Sequence, residues 1–435
     1  MANEGEDINS ILEWLAIVSG SAEKFNSRIK EAQEQYVKQS QAEDKSFSIF
    51  ETNDVVANYF AQAKSHAEQN RQATDILAAS KILPWVRQLG RHVNILSKIQ
   101  GAYDRAEKML KSETVNPSST MFELIMAANY ATTDLSVSFI NETDKKTPDF
   151  ELSMAQTKKR VFVECKRLER GTYQKNEELR HEQIFRAVEP LLLKTRRSLH
   201  IDVSYADDLS EVPNDYLIGH LEKFLSLKII LPTGYPWKDK YGDGRIHPAN
   251  ADAIIAELRE SSLYCGPKMA RLLSGITVGE NHYHLAISGI DDSRDARFLD
   301  KFYYGSVITW RNNSDKSIGR KNKRILSKLA EADAQLATSG AGIIHMAMEM
   351  EADCPSSDVR QTRNCQTLEK FAPSSNLLAV YLHYLVPRVS EQRSWLIDEN
   401  VDAFTAIAKD LNPPRIFTEA ELSENLLPAW KQKAF

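Results

Sequence analysis

The stretch from Thr147 to Leu168, TPDFELSMAQTKKRVFVECKRL, constrains this chain most. Phe150 and Leu152 alternate with Asp149 and Glu151, and Val161, Val163 and Cys165 alternate with Phe162, Glu164 and Lys166. A period of two marks strands, in which side chains two apart share a face. The polar Gln156-Thr157-Lys158-Lys159 between them is suited to a turn. A hairpin over this stretch brings Asp149 towards Glu164 and Lys166. Two carboxylates and an ammonium gathered on one sheet face are costly to desolvate unless they are paired or hold a metal ion.

The flanks supply further elements. Ser118 to Ala131 reads as a helix with Phe122, Ile125, Met126 and Asn129 as its inward stripe, which leaves Glu123 beside that stripe. Leu135 to Ile140 reads as a strand. Downstream, Glu177 to Arg197 reads as a helix with Ile184, Ala187, Val188 and Leu191 as its stripe and Gln183 and Arg186 at its margin. Pro190 lies inside that helix and predicts a kink or a split. Leu199 to Tyr205 then reads as a strand.

Pro148-Asp149 followed by Glu164-Cys165-Lys166 across a hairpin resembles the PD-(D/E)XK nuclease superfamily, the restriction-endonuclease-like fold. The resemblance covers roughly Ser118 to Tyr205 and implies an αβββαβ core within a mixed α/β chain. It implies Mg²⁺, with Mn²⁺ as a substitute, held by Asp149, Glu164 and the backbone carbonyl of Cys165. Lys166 would orient the attacking water and stabilise developing negative charge, as a preorganised cation can. Glu123 would reach the site from the preceding helix, Glu151 would serve as a substitute ligand, and Gln183 would lie beside a substrate phosphate. Hard divalent ions suit the task because phosphodiesters repel nucleophiles and have poor leaving groups.

Charge is distributed unevenly. The whole chain carries a formal charge of −5, which excludes a generally basic nucleic-acid binder. Lys158 to Arg197 nevertheless holds twelve lysines and arginines against six acidic residues. A local basic zone beside a carboxylate cluster suits a phosphodiester substrate. Lys158, Arg167, Gln183 and Arg186 are its candidate nucleic-acid contacts. Arg320, Lys321, Lys323 and Arg324 form a second basic group at the start of a helix read over Gly319 to Leu336, where backbone phosphate contacts and a solvated face are both open readings.

The sequence divides into a helical region (1–115), the nuclease core (116–230) and an α/β region (231–435) for substrate recognition or sheet extension. The first region is a candidate for scaffolding or homo-oligomerisation and carries no residue that suggests chemistry; Pro84 and Gly90 are expected to break its last helical stretch. In the third, strands are read over His282–Ser288, Gly342–Met348 and Leu377–Leu385, and helices over Ala251–Ser262, Gly319–Leu336 and Asn400–Leu411. Tyr235, Trp237, Lys238, Lys240, Tyr241 and Arg245 lie on a Gly- and Pro-rich loop, which either stacks bases or is pinned by its own aromatics. His282 and His284, two apart on one strand face, have a spacing that can bind zinc but read as paired surface or packing histidines. The acidic N-terminal segment is no secretory signal, no apolar run is long enough to span a membrane, and four widely spaced cysteines fit a reduced, cytoplasmic protein.

These readings predict a Mg²⁺-dependent nuclease, with DNA the expected substrate and an endonuclease the expected mode. The large flanking regions fit a recognition task such as defence against foreign DNA, by analogy of fold. A catalytically inactive nucleic-acid-binding or structural subunit with the same fold is the alternative, and an α/β interaction scaffold in which the motif is accidental is the third reading.

Overall fold

The computed structural model describes residues 4–40, 52–111, 113–114, 116–133, 135–141, 146–154, 159–168, 171–227, 234–276, 282–293, 295–350, 355–389, 395–405 and 414–418. Six helices come first: α1 (Glu4–Val18), α2 (Ala22–Ser40), α3 (Val55–Ala67), α4 (Ile76–Leu96), α5 (Ala102–Met109) and α6 (Pro117–Ala131). Three strands follow, β1 (Leu135–Phe139), β2 (Phe150–Met154) and β3 (Arg160–Leu168). Next come α7 (Thr172–Thr195), β4 (Leu199–Tyr205), α8 (Tyr216–Ser226), β5 (Tyr235–Lys238), β6 (Gly242–Pro248), α9 (Ala251–Leu258), β7 (Leu263–Tyr264), α10 (Pro267–Ser274), β8 (Tyr283–Asp292) and β9 (Asp295–Asn312). The chain continues through α11 (Asp315–Leu336), β10 (Ala341–Glu349), α12 (Pro355–Glu369), β11 (Asn376–Val389) and β12 (Trp395–Thr405).

The described strands form two six-stranded mixed sheets, so the chain is of mixed α/β class. The first has the order β1-β2-β3-β10-β11-β12; the second runs β5-β6-β4-β9-β7, with β8 also paired to β9. In the first sheet β1, β2 and β3 are antiparallel, while β3–β10 and β10–β11 are parallel. Parallel neighbours need a long crossover. Between β3 and β10 that crossover is the whole second sheet with its helices, followed by α11. The strand expected at Leu199–Tyr205 to complete the core is therefore displaced: β4 lies in the second sheet, between β6 and β9. Its buried residues Leu199, Ile201, Val203 and Tyr205 pack with α7 and α8, away from the carboxylate hairpin.

The packing also runs across the divisions near residues 115 and 230. One core joins Ile8, Phe60, Trp85 and Phe122 to Phe150, Val163, Leu385 and Ile416, so the N-terminal helices cover one face of the first sheet. Three of the later strands, β10, β11 and β12, belong to that same sheet. Pro84 does not interrupt α4. Gly90 marks instead a close approach, since a Cβ there would collide with the Asp7 carbonyl of α1. Pro190 likewise lies within a continuous α7. The segment Asn400–Leu411, expected as a helix, is extended from Asn400 to Thr405, because β12 pairs with β11 along its full length. Residues 406–411 of that segment lie outside the described residues. Tertiary pairing overrides local propensity in such strands.

A buried polar chain ties the far half of this sheet to α6. Tyr130 Oη, His345, His383 and Glu399 are linked by contacts of 2.9, 2.9 and 2.8 Å, and Glu399 also accepts the N–H groups of Ile416 and Phe417. His383 Nδ1 meets Glu399, His345 Nδ1 meets His383 Nε2, and Tyr130 Oη meets His345 Nε2. Burial pushes His345 well below the usual histidine range, which favours its neutral form. The chain locks β10, β11 and β12 against α6, where Glu123 resides.

Candidate active site

Phe150 sets the geometry. It is wholly buried against Phe139 and Tyr130, with ring centroids 5.7 and 6.1 Å away. Burying such a side chain contributes about 1.5–3 kcal/mol, and it anchors β2 where Asp149 leaves the strand. The β2–β3 ladder begins at Phe150–Val163, so beyond Val163 the β2-facing edge of β3 has no partner strand among the described residues. Asp149 fills that gap. Its N–H donates to the Val163 carbonyl at 3.0 Å, and its Oδ2 accepts from the Cys165 N–H at 2.7 Å. The N–H and C=O of one strand residue point to the same side, so the Cys165 carbonyl also faces this edge.

Glu164 and Lys166 project together from β3. Lys166 Nζ lies 2.6 Å from Glu164 Oε1. Only 1% of Glu164 is exposed, and its Oε2 has no hydrogen-bond partner among the described residues. Burial and then the nearby Asp149 charge push the Glu164 carboxyl from its usual 4.5 up to about 8, although Lys166 and Arg105 oppose the shift. Burial works to lower the Lys166 pKa, but Glu164 outweighs it and the ammonium is held above its usual range. Cys165 points to the opposite face, into the apolar core with Val163. Burial raises its thiol well above the usual range, and the charges of Asp149, Glu123 and Glu164 add to this.

Three groups that the sequence reading did not single out complete the cluster. Arg105, from α5, lies 3.3 Å from Glu123 Oε2 and 3.5 Å from Asp149 Oδ1. The N-terminal helices thus contribute to the cluster, contrary to the expectation that they carry no site residue. From α11, Gln335 accepts from Lys166 Nζ at 2.7 Å and donates to the Thr147 carbonyl at 3.1 Å. Glu331 lies 3.7 Å from Lys166 Nζ and is also paired with Lys146 and Lys328. A hydrogen bond from Lys328, with Lys166 nearby, lowers Glu331 to about 2. Residues four apart share a helix face, so Glu331 and Gln335 are legible in retrospect as one polar face. No sequence signal shows which strand α11 covers.

The remaining sequence-predicted residues lie elsewhere. Glu151 accepts from Ser138 Oγ and pairs with Arg160 on the β1 side. Arg167, expected as a nucleic-acid contact, is a correction: only 4% of its side chain is exposed, and it pairs with Glu349 and stacks over Trp85. Alternation along β3 puts Arg167 on the face of Cys165, which the N-terminal helices cover. Gln183 and Arg186 follow α7 to the second sheet; Gln183 accepts from Arg180, and Arg186 pairs with Glu182 and Glu189. Arg320 pairs with Asp208 and stacks over Tyr173. The side chains of Lys321, Lys323 and Arg324 and all of Lys158 lie outside the described residues. The segment expected as a loop is instead the β5–β6 hairpin, in which Trp237 is buried, stacked on His220 and donating to Tyr216 Oη. His284 packs between Phe185 and His181, which stacks on Trp310.

Among the described residues no three His, Cys, Asp or Glu side chains stand together as a metal-ligand set. A site here would draw on two carboxylates and a main-chain carbonyl, with water and substrate completing the shell as Mg²⁺ commonly requires. The orphaned Glu164 Oε2, the raised Glu164 pKa and the all-oxygen donors fit such an ion. No described helix is long and apolar enough to cross a membrane. Comparison with known proteins gives no match: no family model, no curated protein and no solved structure.

Proposed function

We propose that this chain is a divalent-metal-dependent nuclease, with DNA as its substrate and internal phosphodiesters as its target. The observation that carries the reading is the convergence of Asp149, Glu164 and Lys166, with a buried Glu164 oxygen left without a hydrogen-bond partner. The element order supports it as well. Helix α6, the antiparallel β1, β2 and β3, then α11 and the parallel β10 follow the order αβββαβ that the resemblance implies, if the second sheet is taken as an insertion before α11.

In this reading Asp149, Glu164 and the Cys165 carbonyl hold the ion. Bound Mg²⁺ supplies charge neutralisation on the phosphate and a lowered pKa for coordinated water. The Asp149 carboxylate is oriented by the Cys165 N–H, so it need not reorganise when charge develops. Lys166 is held by Glu164 and Gln335, which fix its ammonium beside the carboxylates. An ammonium has three donors, and one beyond those two bonds can serve the attacking water or the phosphate oxygen. Gln335, tied to the Thr147 carbonyl, links α11 to the segment that leads into Asp149.

The test is incubation of the protein with supercoiled plasmid, linear duplex, single-stranded DNA and RNA in Mg²⁺, Mn²⁺ or EDTA. Plasmid nicking or linearisation with either ion, absent in EDTA, is expected. Cleavage confined to RNA would overturn the substrate assignment. Nucleic-acid binding without cleavage in either ion would favour the inactive-subunit reading.

A further inference from the structure

Arg105 reaches the cluster from α5, outside the motif. Its guanidinium spans Glu123 Oε2 at 3.3 Å and Asp149 Oδ1 at 3.5 Å, donates to the Asp149 carbonyl at 3.4 Å, and stacks over Phe139 at 5.5 Å. Only 11% of its side chain is exposed. Two carboxylates from different elements, α6 and the start of β2, are thus bridged by one buried cation, while Lys166 takes Glu164 separately.

We propose that Arg105 is the resident counter-ion of this site, a positioning residue with which a divalent ion must compete for the Asp149 carboxylate; this rests on the metal-dependent reading above. The physical reason is direct. Glu123 and Asp149, brought close and withdrawn from water, repel each other unless a cation stands between them. Arg105 supplies that cation and keeps the apo site folded. The same guanidinium then repels a dication arriving at Asp149 Oδ1, and a half-buried site screens that repulsion poorly. Arginine also binds phosphate well through its planar fork. A nucleic-acid phosphate that draws Arg105 off Asp149 would remove the repulsion, so ion affinity rises when a nucleic acid is bound.

Mn²⁺ affinity, read by electron paramagnetic resonance on the full chain, tests this with wild type, Arg105→Gln, Arg105→Lys and Asp149→Ala. Arg105→Gln should bind Mn²⁺ tighter by on the order of tenfold, and Arg105→Lys, which keeps the charge, should stay near wild type. In EDTA, Arg105→Gln should melt below wild type, and saturating Mn²⁺ should close the gap. A nuclease-resistant phosphorothioate duplex should tighten Mn²⁺ binding by wild type more than by Arg105→Gln. Unchanged or weaker Mn²⁺ binding by Arg105→Gln, with binding lost in Asp149→Ala, would overturn the counter-ion role and leave the metal-dependent reading standing. Wild-type affinity in Asp149→Ala would sink the metal reading itself and this role with it. Should Arg105→Gln fail to fold in EDTA, recovery in Mn²⁺ supports the role, and failure in both overturns it.

Discussion

On α7, Gln183 accepts from Arg180 and Arg186 is flanked by Glu182 and Glu189, so the partners of these two residues lie on their own helix. On α11, Gln335 and Glu331 reach a different element, both meeting Lys166 of β3. The two helices are similar in length, 24 and 22 residues, and both are rich in charge. Position in the sheet separates them. A parallel neighbour of β3 must be reached by a crossover, and the helix that enters that neighbour is the one laid over β3. Here β10 is the neighbour and α11 precedes it. Helix α7 precedes β4, which went to the second sheet. A helix adjacent to a motif in sequence is therefore a poor guide to the helix that completes its site when an insertion intervenes.

The insertion is clasped where it leaves and rejoins. Buried Glu177, on α7, accepts from Asn312 at the end of β9 and from Ser317 on α11, both at 2.7 Å. Asp208 accepts from Arg320 of α11, and its carboxyl is held below the usual range; burial opposes this, but the Ser210 hydrogen bonds and the nearby Lys316 and Arg320 outweigh it. Arg297 reaches the N-terminal helices, where it donates to Tyr36 Oη at 2.6 Å. The second sheet is thus fastened at several points.

The comparison can be broken by mutation. The largest effect should come from Asp149→Ala. It removes a proposed ion ligand and the acceptor for Cys165 N–H, so both Mn²⁺ binding and cleavage should disappear; binding at wild-type strength would separate Asp149 from the ion. Next, Gln335→Ala frees Lys166 and the Thr147 carbonyl from α11. A fall of about tenfold in cleavage rate, the scale of one lost hydrogen bond at roughly 1–1.5 kcal/mol, is expected with little change in Mn²⁺ affinity. Gln183→Ala and Arg186→Ala should stay within about twofold of wild type, since their partners lie on α7. Equal losses from Gln183→Ala and Gln335→Ala would erase the distinction between the helices.

A smaller effect concerns pH. Glu164 has a folded pKa of about 8 against 4.5 when unfolded, so the folded state holds the extra proton between those values. Stability falls with rising pH wherever the native state binds more protons. The contribution is fully present below about 4.5 and is lost as pH rises through about 8. Metal-free wild type should lose stability across this window in urea melts, and Glu164→Gln should show a flatter profile. Identical profiles would mean that Glu164 ionises in the fold as it does in water.

The hairpin was legible in the sequence because its alternation is strict and its charges sit on one face. The strands read at Gly342–Met348 and Leu377–Leu385 coincide with parts of β10 and β11. The placement of β4 was not legible, because Leu199–Tyr205 carries the same apolar pattern whichever sheet it joins. Arg105 was hidden for a related reason: on α5 it is one charge among several, and only the packing of the N-terminal helices on the first sheet brings it to Asp149. Arg167 misled because a basic residue next to Lys166 looks like part of the same patch, while strand alternation sends it to the other face.

In the proposed mechanism Lys166 acts on the reacting groups while Asp149 and Glu164 hold the ion. The most direct test is single-turnover cleavage of plasmid DNA by Lys166→Ala, measured beside its Mn²⁺ affinity and its thermal melt. Loss of one transition-state contact of this kind costs about 10²–10³ in rate. A fall of that size or more, with Mn²⁺ binding and folding preserved, is the predicted result. Cleavage at the wild-type rate would contradict the account.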